Sequence, residues 1–306
     1  MAVPSWRPDP PCPNPGSEMT IELDKLLNWP FKDVVQTYTA RDSMFYALSI
    51  GLGADPIDRD QLRFVYEKEL AVFPTMSLVL GYPGAWAGDP GSGIDVSKVV
   101  FGEQQMTWHR PLAPAATIRA RERVVNVVDK GEGRGALLYV QREIVDHDTG
   151  EPIVTQEGTL FCRANGGFGG PSGPVREPWK VPERAPDNVV EMPTLPQAAL
   201  IYRLNADYNP LHADPAVAVA AGFPRPILHG LCTFAVAAHA VLKTHGDMQA
   251  GNLHSLRARF TAPVFPGETI SVELWREGSS VSFRAWVRER DAKVLDGGHA
   301  VIAPRD

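Results

Sequence analysis

Two stretches of this chain spell out the same order of elements, and a chain that repeats itself must fold each copy as a unit or join the two into one body. The first runs FGEQQMTWHRPLAPAATIRARERVVNVVDKGEGRGALLYVQREIVDHDTGEPIVTQEGTLFC, with β-branched and apolar runs divided by KGEGRG and DHDTGEP turns. That composition predicts a strand meander. The second, LHSLRARFTAPVFPGETISVELWREGSSVSFRAWVRERDAKVLDGGHAVI, repeats it with turns at REGSS and ERDAK and alternating strands such as 280–290. The corner after the first strand is shared: HRPLAPAATI in one copy, TAPVFPGETI in the other. One helical candidate precedes each meander, Pro74 to Gly81 and Gly230 to Thr244. The later one, LCTFAVAAHAVLK, is apolar around most of its circumference and stopped by Gly246, so it must be largely buried. A single apolar helix ahead of an antiparallel meander, twice over, predicts an α+β fold with a sheet wrapped around a central helix in each half. Another α+β topology has the same periodicity.

Between the copies, from Ala164 to Pro196, lies ANGGFGGPSGPVREPWKVPERAPDNVVEMPTLP, rich in glycine and proline and nearly free of apolar periodicity. The expected organisation is an N-terminal arm over 1–18, a first unit over 19–165, a linker over 166–196 and a second unit over 197–306. A formal net charge of −6 gives no global field to hold nucleic acid or an anionic membrane, so an anionic ligand needs a local basic patch. Cys12, Cys162 and Cys232 are odd in number and lack close CxxC spacing, which argues against a disulfide framework. MAVPSWRPDPPCPNPG has neither the basic nor the apolar region of a secretory signal, and APRD is no peroxisomal-type tripeptide. The longest apolar stretch, Leu231 to Leu242, is broken by His239 and falls short of the roughly 20 residues of a membrane span. A cytoplasmic location is the expectation.

The densest cluster of reactive residue types is YRLNADYNPLHADP, Tyr202 to Pro215, followed by AGFPRPILHGLCTF. Asp207 and His212 flank Asn209-Pro210, and a residue before proline is pushed out of the α region, so both lie on a bent loop. Such a loop can bring a carboxylate and an imidazole to one water. Hydration of an α,β-unsaturated thioester needs that pair, plus donors facing the carbonyl oxygen as it gains enolate charge. The N–H of Gly230, at a helix N-terminus, is placed for the last role. A structural reading of the same residues stands beside this one. Asp-x-Asn-Pro is a common turn, Asp214-Pro215 can cap the next helix, His212 and His229 can be core histidines, and Gly230 can serve only close packing. A metal site from His212, Asp214 and His229 fits no strong spacing motif, and neither KGEGRG nor GGFGG has the strand-turn-helix context of a nucleotide loop.

YRLNADYNPLHADPAVAVAAGFPRPILHGLCTF resembles the signature of the type 2 (R-specific) enoyl-CoA hydratases, or MaoC-like family, and is especially similar to the hydratase part of peroxisomal multifunctional enzymes of type 2. The likeness extends through YTARDSMFYALSIG, LRFVYE, FPTMSLVLG, FGEQ, DKGEG, GGFGG, ARFTAPVFPGETI and LWREG. One position departs: the glycine usual before the aspartate is Ala206. The resemblance implies a double hot-dog fold, two antiparallel sheets each wrapped around a long central helix, with two chains paired as a homodimer and no cofactor besides the coenzyme A of the substrate. It implies that Asp207 and His212 hold the attacking water, Asn209 braces the loop, Gly230 binds the thioester oxygen, and Glu67 is tied to activity. Phe101, Gly102, Lys130 and Phe260 match acyl-CoA contacts, and Tyr208, Pro210 and Leu211 of the loop join them. The first unit, whose ARDSMFYALSIG lacks Asn-Pro-x-His, would accommodate the acyl chain. Lys130, with Arg257 or Arg259, would meet the coenzyme A phosphates, although a lysine in a turn is most often a solvated charge. Competing readings are a hot-dog thioesterase and a non-catalytic acyl-CoA-binding protein. The Asn-Pro-x-His loop argues against the first, and retention of both Asp207 and His212 against the second.

Overall fold

The computed structural model describes residues 20–304, so Cys12 and the expected arm over 1–18 lie outside the described residues. The chain opens with α1 (Leu23–Leu27), β1 (Val34–Tyr38), α2 (Ala40–Ser49) and the short α3 (Arg59–Leu62). A meander of β2 (Val99–Trp108), β3 (Ala116–Asp129), β4 (Ala136–Asp146) and β5 (Pro152–Cys162) follows. The second copy comprises β6 (Asn188–Pro193), α4 (Ala198–Tyr202), α5 (Pro215–Ala220), α6 (Gly230–His245), and then β7 (Leu253–Phe260), β8 (Thr269–Glu277), β9 (Ser280–Val287) and β10 (Ala292–Ile302).

The strand order is β1-β3-β4-β5-β2-β7-β10-β9-β8-β6. Each half reads the same from its edge inward, so the repeat seen in the sequence is a repeat of topology. The two expected sheets are one: β2 and β7 pair antiparallel from Glu103↔Arg259 to Thr107↔Ser255 and join the halves into ten continuous strands. A free edge on either half would leave a row of unpaired backbone groups, and the seam removes both edges at once.

The helices of the two halves differ more than expected. α6 has 16 residues and is buried along nearly its whole length, as its apolar circumference requires. Its counterpart is only a 3₁₀ segment, Pro74–Val79, with all six residues buried. Gly81, at φ +63, and Pro83 follow at once, leaving too few residues to nucleate an α-helix. Both segments contribute to the larger of two hydrophobic clusters, which draws on both halves, from Tyr38 and Phe73 to Phe283 and Ile302.

The expected linker is not loose. Its last residues form the edge strand β6, paired with β8 from Asn188↔Leu274 to Pro193↔Thr269. Before that it runs as a strap over the outer face of the sheet. Trp179 stacks on His299 at 3.8 Å and its Nε1–H donates to Ser282 Oγ at 2.9 Å, while Trp275 Nε1–H donates to Arg184 O at 2.8 Å. At the strap's start GGFGG is gathered by Asp129, whose carboxylate accepts the N–H groups of Gly131, Gly167, Gly169 and Gly170. Burial raises this carboxyl's pKa, but the four hydrogen bonds together outweigh it and leave the carboxyl below its usual value.

Candidate active site

The loop between α4 and α5 carries the site, and Asn209 shapes it. Its N–H donates to Asp207 Oδ1 (3.2 Å), its Oδ1 accepts from Leu211 N–H (3.0 Å), and its carbonyl accepts from His212 N–H (3.2 Å). The pre-proline residue thus ties Asp207 on one side to a 3₁₀ turn, Pro210–His212, on the other. Asp214 does cap α5, accepting from Ala216 N–H at 2.8 Å, so it is a structural residue here. Tyr208 and Pro210 are exposed beside the loop and Leu211 is half-buried.

Asp207 is half-buried and His212 is buried. A carboxylate oxygen of Asp207 and a ring nitrogen from each of His212 and His229 lie within 4.8 Å of one another. His212 Nδ1 is 2.9 Å from Ile227 O, and only an N–H can face a carbonyl, so the proton sits on Nδ1 and Nε2 is the free nitrogen. Burial lowers the pKa of His212, partly offset by the Ile227 carbonyl and by Asp207. The ring is neutral at pH 7 and carries a lone pair.

His229 stands at the N-cap of α6 and is almost fully buried, its ring stacked on that of His212 at 3.7 Å. Its Nε2–H donates to Asp207 O at 3.2 Å, fastening the loop to the helix. Burial, and next His212, hold its pKa down. The Tyr202 ring also packs against His229, tilted, with its centroid 4.9 Å away. The sequence alone offers His229 as a core histidine. Nothing in its spacing announces that it stacks on His212, since the two are 17 positions apart and meet only through the turn of the chain at Ile227.

The side chain of His229 does not cap α6, so the first N–H groups have no side-chain acceptor there. Gly230 is the first helical residue and is exposed. A Cβ on it would sit 3.3 Å from the Phe260 ring, which therefore rests against the glycine backbone. Phe260 in turn meets Phe101 edge-on at 5.6 Å. A β-bulge between Phe101 and Glu103 makes that contact possible. Glu103 pairs with Arg259 on the outer face, and in a regular strand Phe101, two residues before it, would point outward with it. Phe101, Gly102, Phe260 and Gly230 thus form one apolar ledge at the tip of α6.

Lys130 lies in the β3–β4 turn that Asp129 holds, its Nζ 4.9 Å from the Phe161 ring, and among the described residues it makes no ion pair. The two arginines expected beside it are engaged elsewhere: Arg259 Nε pairs with Glu103 Oε1 at 2.9 Å and Arg257 Nη2–H donates to Glu177 O at 3.0 Å. Both point to the outer face because they alternate with the inward Ala258 and Phe260. Glu67 is exposed in the stretch after α3 and is not part of the Asp207, His212 and His229 cluster.

Residues 36–164 match the family described as "MFE-2 hydratase 2 N-terminal domain", and residues 179–297 match "MaoC like domain". The chain is 37% identical over 299 residues to the Arabidopsis thaliana protein named peroxisomal enoyl-CoA hydratase 2, covering 92% of this chain and 96% of that one. Its fold is similar to the crystal structure of a MaoC-like dehydratase from Phytophthora capsici, with TM-score 0.81, 34% identity, and coverage of 92% and 99% of the two chains. A Mycobacterium tuberculosis protein described as having a double hotdog fold aligns with TM-score 0.54 over 89% of this chain and 95% of that one, at 17% identity, a likeness of fold alone.

Proposed function

Since the chain belongs to the MaoC-like enoyl-CoA hydratase 2 family, we propose that it adds water across the double bond of a trans-2-enoyl-CoA with Asp207 and His212 as the acid/base pair, giving the (3R)-3-hydroxyacyl-CoA. The enzyme is a hydro-lyase of double hot-dog fold. The observation that carries the mechanism is the convergence of a carboxylate oxygen and a ring nitrogen of a neutral imidazole, whose Nε2 the Ile227 carbonyl leaves free, next to the uncapped tip of a helix.

A water held between Asp207 and His212 gives up a proton to one of them as its oxygen attacks C3, and a proton returns from the pair to C2. The negative charge that gathers on the thioester oxygen faces the N–H of Gly230, where the helix dipole and the absence of a side-chain cap favour an anion. Phe101 and Phe260 receive the acyl thioester against their ledge, and Tyr208, Pro210 and Leu211 border it. Lys130 is the cation offered to the coenzyme A phosphates, and Glu67 acts from outside the cluster.

No metal or other cofactor enters this reading. Asp207, His212 and His229 are within metal-ligand reach of one another, but the rings of His212 and His229 are stacked with an interplanar angle of 26°. Stacked rings hold their in-plane lone pairs in two near-parallel planes about one ring thickness apart, whereas the ligands of a tetrahedral zinc site approach the ion from widely separated directions. A homodimer and a cytoplasmic location belong to the same reading. No helix of the described residues is long and apolar enough to cross a membrane. The purified protein, supplied with crotonyl-CoA and longer 2-enoyl-CoAs without added metal or nucleotide, is expected to yield 3-hydroxyacyl-CoA of 3R configuration by chiral chromatography. Free coenzyme A as the main product would mark a thioesterase instead.

A further inference from the structure

Arg203, the residue after α4, was not singled out by any motif, yet its guanidinium lies over the Tyr208 ring, 5.0 Å from its centroid. One Nη2–H donates to Tyr208 O at 3.3 Å, so the side chain closes the loop that carries Asp207 and Asn209 from outside. Among the described residues Arg203 makes no ion pair, and its Nε–H is buried without an acceptor. A buried donor left unpaired costs stability, and such costs cluster where function holds them in place.

We infer that Arg203 is a positioning residue of the active site: it clamps the Asp207–Asn209 segment through Tyr208 and sets a fixed positive charge beside the two imidazoles. This rests on the acid/base reading above. The groups facing His212 are Asp207 on its own loop, His229 at the tip of α6 with Tyr202 of α4 behind it, the Ile227 carbonyl, and Arg203. Asp207 favours an imidazolium, while Arg203 opposes it for both His212 and His229. Burial is the larger influence, and the cation adds to it in keeping His212 uncharged with its Nε2 lone pair intact.

The clamp and the charge are separable. Arg203→Lys keeps the charge but loses the flat surface over Tyr208 and the fork geometry, whereas Arg203→Gln keeps a planar donor but loses the charge. With crotonyl-CoA, Arg203→Gln is expected to move the acidic limb of the kcat/KM profile to higher pH by about half a pH unit or more. Its kcat should fall about tenfold with KM little changed. Arg203→Lys should keep the wild-type limb and show the loss in kcat. An unmoved limb in Arg203→Gln overturns the inference, as does a raised KM with kcat intact, which would make Arg203 a contact to the substrate's phosphates. Should Arg203→Gln fail to fold, Arg203→Lys decides alone: a displaced limb or wild-type kcat refutes the clamp. Asp207→Asn, assayed in parallel, separates the two levels. If it stays active, the acid/base reading itself has failed; if it is inactive while the arginine variants behave as wild type, only Arg203 has been misread.

Discussion

At the scale of single residues, the site is a matter of which nitrogen holds which proton. The Ile227 carbonyl fixes His212 as an Nδ1–H tautomer and burial keeps it neutral, so the group that reaches the water is a lone pair. Much of this was legible in advance. A histidine two residues after Asn-Pro must share a bent loop with the preceding aspartate, and Asn209 does tie the two together. The carbonyl partner and the His229 stack were not legible, because a backbone carbonyl has no residue identity and stacking depends on how distant segments cross. Ala206 is the informative departure. It sits at φ +158 and ψ −11, outside the regions a Cβ permits easily, at the position where the family resemblance implies a glycine. Ala206→Gly is therefore expected to relieve about 1 kcal/mol of strain and to raise Tm by roughly 1–3 °C without loss of turnover, measured by calorimetry and the crotonyl-CoA assay. A lower Tm would show that the alanine methyl contributes more by packing than it costs.

At the scale of elements, α6 does two things at once: its tip serves the site and its body fills the core. The apolar circumference of LCTFAVAAHAVLK announced the burial but not the role of His239 within it. That ring lies edge-on to Phe73 at 6.0 Å, with both nitrogens buried and unpartnered. Burial, and next Lys243, push its pKa down to about 4. Its ordinary value is near 6.5, so as pH falls from about 6.5 to 4 the unfolded chain takes up a proton that the folded chain refuses, and stability is lost over that window. His239→Leu removes this liability at similar volume. By denaturant melts, it should match or exceed wild-type stability at pH 7 and gain a further ~2 kcal/mol on wild type at pH 5. Equal losses in both proteins would mean that the acid sensitivity comes from elsewhere. Other elements escaped the sequence for plain reasons. The β1 and β6 edge strands have only five and six residues. α2 carried an unread signal in the Thr39–Asp42 capping box, with Thr39 N–H donating to Asp42 Oδ2 at 2.8 Å.

At the scale of the whole molecule, the internal repeat predicted the doubled topology, and the central pairing of β2 with β7 turned two expected sheets into one. The strap looked like a linker because proline and glycine hide its few anchors, of which Trp179 on His299 is the clearest. The main core takes residues from both halves, with a smaller cluster of first-half residues around Leu26, Val127 and Leu138 beside it. The chain should accordingly unfold in one transition by calorimetry, with calorimetric and van't Hoff enthalpies in agreement, and two resolved transitions would contradict a shared core. The fold brings the ledge of Phe101 and Phe260, the tip of α6 and the Asp207–His212 loop to one place, and the central claim is that the last of these activates water. Its most direct measurement is the turnover of Asp207→Asn and His212→Ala on crotonyl-CoA, with circular dichroism and acyl-CoA affinity as controls. Each variant is predicted to keep its fold and its affinity while kcat falls by about two to four orders of magnitude; a folded variant of either kind with kcat within tenfold of wild type would contradict the account.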